Sequence, residues 1–110
     1  MSKIATITLT GASGRCYAFG VYPLDHQLPP LGAVYYISRR AVMTSNNWSH
    51  ISIYVGQSSD LSTCLDDHHK KYCFAQNWVN RIGLHLDNSE ESRRDKEQDL
   101  IKALEPLCND

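Results

Sequence analysis

Tyr35, Tyr54, His68, Glu97 and Asn109 carry the side chains in this chain that could perform hydrolytic chemistry. Tyr35 lies in the apolar run Gly32-Ala33-Val34-Tyr35-Tyr36-Ile37, and Tyr54-Val55-Gly56 closes a second apolar run. Glu97 precedes Leu100-Ile101, and Pro106 and Asn109 follow. Hydrolysing a phosphodiester requires a polarising cation, a group to take a proton from water, and positive charge on the phosphate. Two phenols, one carboxylate and one histidine supply candidates for the first two tasks. Arg39, Arg40, Lys70 and Lys71 supply candidates for the third. Each residue also has an ordinary structural reading. A strand tyrosine is commonly half-buried packing, a mid-helix glutamate is solvated by default, and His68, on a face with Leu61 and Leu65, reads as a hydrogen-bonded core-edge side chain. The basic pairs, Arg93-Arg94 among them, read equally as solvated faces.

These side chains must be positioned by strands first and helices later. Residues 4–10 and 15–22 are β-branched and apolar around Gly11-Ala12-Ser13-Gly14, which predicts a hairpin. Pro23, Pro29 and Pro30 make a short linker. Strands are expected over about 32–38 and 50–55, separated by a polar loop or tight turn at 44–48. Leu61, Cys64, Leu65 and His68 then fall at helical spacing, with Ser59 or Asp60 as N-cap, so a helix is expected over about 60–71. Residues 82–86 alternate as a short strand does. A second helix over 89–104 follows, capped by Asn88 or Ser89, with Glu90 and Glu91 suited to its dipole and Leu100, Ile101 and Leu104 as its buried stripe. The expected class is α+β: an antiparallel or mixed sheet flanked by helices. The 110 residues suit a single domain, with residues 1–28 as an N-terminal β-hairpin extension and linker, and 29–110 as the core.

Composition excludes little. A net charge of −1 removes bulk attraction to nucleic acid but leaves local basic patches free to act. No apolar stretch approaches membrane-span length, and no secretory signal opens the chain, so a cytoplasmic location is expected. In that compartment the 4 cysteines read as buried thiols. Gly11-Ala12-Ser13-Gly14 imitates the start of a dinucleotide-binding unit, but a strand composition follows where a helix is needed. Cys64, His68, His69 and Cys73 lack the paired short spacing of a zinc site, and no third group orients a Cys64–His68 nucleophilic pair.

Taken run by run, residues 32–109 resemble the GIY-YIG endonuclease family. The first signature stands as Ala33-Val34-Tyr35, with Gly32 one place early. The second stands as Tyr54-Val55-Gly56, continued by Gln57-Ser58-Ser59-Asp60-Leu61. His68 matches the family's histidine, and Glu97, Pro106 and Asn109 match its C-terminal carboxylate, proline and asparagine. The resemblance implies that Tyr35 activates water, Tyr54 binds the scissile phosphate, and Glu97 holds one Mg²⁺ or Mn²⁺. It implies further that His68 supports the phosphate or the base and that Asn109 helps fix the site. The implied substrate is nucleic acid, DNA first, with no membrane involved. A second copy or a partner protein is expected to supply sequence choice. The sequence departs from the family at Cys64, where the family has its arginine, and in a longer connection between the two tyrosine strands. A thiol offers no fixed cation to a pentavalent phosphate, and one such charge is worth ~3–4 kcal/mol. The expectation is therefore a nuclease impaired at that position, with a non-catalytic descendant that binds nucleic acid or protein as the competitor.

Overall fold

The β-branched and aromatic runs of the first half form strands, and the 3.6-residue pattern near the C-terminus forms the main helix. The structure, a computed structural model, describes residues 3–24, 27–44, 47–65 and 68–109. Strands β1 (Ala5–Thr10), β2 (Cys16–Pro23), β3 (Ala33–Thr44), β4 (Asn47–Ser58) and β5 (Arg81–Leu86) make one sheet in the order β1-β2-β5-β3-β4. Every strand pair is antiparallel. Helices α1 (Lys71–Gln76) and α2 (Glu90–Leu104) complete an α+β fold. The first hairpin turns at Gly14, whose φ of 88° suits a residue without a Cβ. That hairpin is welded to the rest of the sheet by β2–β5 hydrogen bonding.

Two apolar clusters sandwich the sheet. One face carries Tyr17, Phe19, Val34, Tyr36 and Val55 against Leu100 of α2, with Ile101 and Leu104 packed alongside. The other carries Ala33, Tyr35, Ile37, Ile53, Tyr54, Ile82 and Leu84 against Leu61 and Phe74. Ser89 caps α2 by accepting from the Ser92 amide, and Glu90 and Glu91 occupy its first turn. Glu105, in the left-handed conformation, ends the helix ahead of Pro106.

Strict alternation fails once in β4, and the failure positions the site. Ile37 pairs with Tyr54 but Ser38 pairs with Ser52, so Ile53 is an extra residue, a β-bulge. Ser52 faces the α2 side, where its hydroxyl meets Tyr36 Oη at 2.7 Å. Without the bulge Tyr54 would face that way too. With it, Ile53 and Tyr54 both join the opposite cluster, beside Tyr35. The C-terminal segment covers this irregular edge: the Leu107 and Cys108 amides donate to the Ser52 and Ile53 carbonyls at 3.2 and 2.7 Å. The Asn109 side chain then grips Val55, accepting from its N–H at 2.8 Å and donating to its C=O at 2.9 Å.

Three expectations are corrected. No helix runs over 60–71. Asp60 caps a single 3₁₀ turn, Leu61–Thr63, and among the described residues, which leave out 66–67, helical structure resumes only at Lys71. Just before it, the Lys70 amide is taken by the His68 side chain, donating to Nδ1 at 3.0 Å. β3 and β4 also extend well past the expected strands, and the polar loop assigned to 44–48 is largely strand, its centre (45–46) lying outside the described residues. Lastly, the cysteines are not all thiols. Cys73 and Cys108, with Cα atoms 6.0 Å apart, form a disulfide across a sequence separation of 35, while Cys16 and Cys64 are not disulfide-bonded.

The disulfide ties α1 to the segment that covers the bulge. Its removal by Cys73→Ser should lower stability by about 3–4 kcal/mol on the chain-entropy estimate. Urea melts with and without reductant check this: reductant should shift the wild type toward the variant and leave the variant unmoved.

Candidate functional site

Tyr35, Tyr54, His68 and Glu97 come from four separate segments and line one cleft of about 400 Å³ at the β4 edge. Gln57, Ser58, Cys64 and His69 complete its wall. Tyr35 lies opposite Gly56 in the β3–β4 ladder, and its ring crosses the space a side chain there would fill. A Cβ at Gly56 would stand 2.6 Å from Tyr35 Cζ and Oη and 2.8 Å from Tyr54 Cε2. Only glycine lets the two phenols approach, with ring centroids 6.0 Å apart. Bulge geometry supplies the second phenol, and the turn after Leu61 supplies His68.

Glu97 arrives from the other side of the sheet, carried by α2 to the same edge. Arg93, one turn earlier and only 4% exposed, anchors the helix there. Its Nε donates to Gln57 Oε1 at 3.0 Å and its Nη1 to the Asp87 carbonyl at 3.0 Å. Burial raises the Glu97 pKa above the ordinary carboxylate value, against the lowering effects of Gln98, the Arg94 charge and a hydrogen bond from the Gln57 amide. A desolvated carboxylate on a cleft wall is suited to a cation. Mg²⁺ is commonly held by one or two carboxylates with retained water and substrate phosphate, and this single carboxylate fits that mode. It does not suit zinc: among the described residues no three His, Cys, Asp or Glu side chains cluster as metal ligands.

Hydrogen-bond direction in the site follows from one backbone group. The Lys70 N–H occupies His68 Nδ1, so the neutral imidazole carries its proton on Nε2. His68 is kept neutral by burial, with the neighbouring His69 and Lys70 charges adding to the effect. Its Nε2 therefore donates to Tyr35 Oη, 2.9 Å away. Tyr35, having accepted, keeps its own proton to donate, with the Tyr54 ring beside it. Burial is the main cause that drives the Tyr35 pKa far above that of a free phenol, with Tyr54, Cys64 and Glu97 adding to it. Tyr54 is raised as well, by burial first and then by the Glu97 charge. As built, His68 donates to Tyr35, and Tyr54 stands protonated beside that pair at the cleft.

The other expected residues are placed differently. Asn109 lies outside the cleft wall; it fixes the backbone of Val55, next to Tyr54. Arg39 and Arg40 sit four and five residues beyond Tyr35 on β3, too far for the cleft at ~3.3 Å per residue. Lys70 is closer, and its charge acts on His68; Lys71 begins α1. Cys64, partly buried and outside any disulfide, stands on the cleft wall. Gln57, Ser58, His69 and Arg93 were not singled out from sequence for this site. Gln57 and Ser58 directly follow the second tyrosine run, but nothing in their types marks the role. Comparison with models of known protein families, with curated proteins and with solved structures gives no match.

Two outcomes are expected. Gly56→Ala should drive the Tyr35 ring off His68 and destabilise the fold by about 1–3 kcal/mol, read in a denaturant melt; a wild-type melt would place the ring elsewhere. For Glu97 the sign is that of a raised carboxylate: the native state bears the cost of the charge above the folded pKa and not below the unfolded one. Glu97→Gln should therefore melt above the wild type at pH 7, and the difference should vanish as pH falls through 4. Thermal melts across pH 3.5–8 measure it.

Proposed function

We propose that the cleft binds a nucleic-acid phosphodiester, DNA by the sequence resemblance, and supports divalent-metal-dependent hydrolysis slowed by Cys64. The observation carrying this reading is the convergence of Tyr35, Tyr54, His68 and Glu97 on one cleft from four parts of the chain. Glu97 would hold a single Mg²⁺ or Mn²⁺. When bound, such an ion supplies Lewis-acid polarisation of a phosphoryl oxygen and offsets developing charge.

The remaining work falls to the protein. Tyr54 offers its hydroxyl to an anionic phosphate oxygen, the role that the family resemblance implies for it. His68 orients Tyr35, whose ring packs beside Tyr54. Only the role implied for Tyr35 is departed from, because a phenol so strongly held in its protonated form is a poor base at neutral pH. Lys70 bears on His68 and Arg94 on Glu97, so basic charge reaches the site from both walls. Cys64 adds none. With one preorganised charge missing, the rate deficit is on the order of 10²–10³.

The competing reading, a domain that retains the cleft to bind without cutting, is favoured by Cys64 and by the protonated phenol row. A cytoplasmic setting, expected from the sequence, stands against the Cys73–Cys108 bond, which an oxidising compartment favours. Among the described residues no helix is long and apolar enough to cross a membrane. Sequence choice on DNA would come from a second copy or a partner protein.

A plasmid-nicking assay with Mg²⁺ or Mn²⁺ separates the readings. Slow nicking by the wild type, lost in Glu97→Gln and faster by about 10²–10³ in Cys64→Arg, is the expected pattern. Nicking unaffected by Glu97→Gln would remove the assignment, and cutting confined to Cys64→Arg would establish the binding-only form.

A further inference from the structure

Helix α1 ends in a full Schellman motif. The Val79 amide donates to the Phe74 carbonyl and the Trp78 amide to the Ala75 carbonyl, both at 3.4 Å. That motif requires a left-handed residue just past the cap, and glycine normally occupies it. Here the residue is Trp78, with φ of 56°. A bulky side chain in that conformation is strained, and packing does not compensate for the strain: Trp78 is 76% exposed. No ring or cation partner contacts it among the described residues. The fold thus carries a destabilising residue whose indole lies in solvent.

Its surroundings are basic. Two residues on, Asn80 holds Arg40 by both edges of its amide, accepting from the Arg40 N–H at 2.8 Å and donating to its carbonyl at 3.4 Å. Arg81 follows, opposite Ser38 on β3. Arg81 is held beside this turn by its Nη1, which donates to the Asn80 carbonyl at 2.8 Å, while its Nε is buried, and it makes no ion pair among the described residues. His50 is held below its ordinary pKa by burial and then by the charges of Arg40 and Arg81, in keeping with positive charge gathered at this end of the sheet. In a chain of net charge −1 this is a local concentration. An exposed aromatic face beside arginines is the chemistry that holds unpaired bases: the ring stacks and the guanidinium groups meet the backbone.

We propose that Trp78, with Arg40 and Arg81, is a stacking platform for a single-stranded segment of nucleic acid. Arg40 stands five residues, ~16 Å, along β3 from Tyr35, so the platform would hold strand that runs on from the cleft. In that respect it deepens the nuclease reading and rests on it, but the binding itself needs neither Glu97 nor a metal.

The test uses the full chain in EDTA, with Trp48→Phe leaving Trp78 as the one indole. Probes are a dT oligonucleotide, a rU oligonucleotide and a blunt duplex. Either single strand should quench Trp78 fluorescence, and the duplex should quench less. Trp78→Gly should weaken single-strand binding by about 5- to 100-fold and, by relieving the left-handed strain, raise the melting temperature by about 4–8 °C. Arg81→Gln should flatten the salt dependence of binding. The readout needs neither metal nor cleavage, so a failed nuclease assignment leaves this result readable. Single-strand affinity unchanged in Trp78→Gly overturns the platform. So does a lower melting temperature in that variant, which makes the indole structural. Self-association lost in Trp78→Gly, without oligonucleotide binding, overturns it in favour of a contact between copies.

Discussion

One extra residue in β4 decides which side of the sheet the second phenol occupies. Ile53 breaks the alternation between Ser52 and Tyr54, so the two side chains face opposite clusters although they are two apart. A bulge leaves backbone groups outside the ladder, and a buried unpaired carbonyl costs about 1–3 kcal/mol. The C-terminal segment meets that demand with the Leu107 and Cys108 amides, and Asn109 continues the pairing with its side-chain amide. The disulfide to Cys73 then fixes this segment to α1. Bulge, tail and disulfide form one unit, and the position of Tyr54 depends on all three.

This dependence explains what could be read from sequence and what could not. The first hairpin, the 81–86 strand and α2 with its Ser89 cap were legible because each follows from local chemistry: turn residues, alternation and capping. Tyr35, Tyr54, His68 and Glu97 were legible as candidates by type and order. Their convergence was not, since alternation counted back from Tyr54 puts it on the face of Ser52. The helix expected over 60–71 failed for a related reason. Leu61, Cys64 and His68 repeat at helical spacing, yet Cys64 and His68 both line the cleft with a 3₁₀ turn, not a continuous helix, following Asp60. Periodicity records that residues share a side, not which backbone brings them there. The disulfide was out of reach because Cys108 sits at the β4 edge only through pairings with a bulge.

Glycine at 56 and glutamate at 97 show the opposite sides of the same design problem. Gly56 has no packing atoms of its own, and its value lies in the volume it leaves for Tyr35. Glu97 is charged where burial disfavours charge, so it works against stability while empty of a counter-ion. Trp78 belongs with Glu97: each is retained at a position where folding alone would select something else.

The donation from His68 to Tyr35 sets how far the cleft can act unaided. His68 cannot take a proton on Nε2 while the Lys70 amide holds Nδ1, so it cannot serve as the sink that would turn Tyr35 into a base. Reversing that donation requires breaking the Lys70 contact, ionising a buried phenol, or bringing in positive charge. An arginine at position 64 would supply that charge from the cleft wall, beside the phenol whose pKa Cys64 now helps to raise. The same substitution therefore bears on phosphate binding and on phenol ionisation together. Its effect on rate should exceed what a phosphate contact alone provides, because a charge near Tyr35 lowers the cost of the state that the present arrangement disfavours.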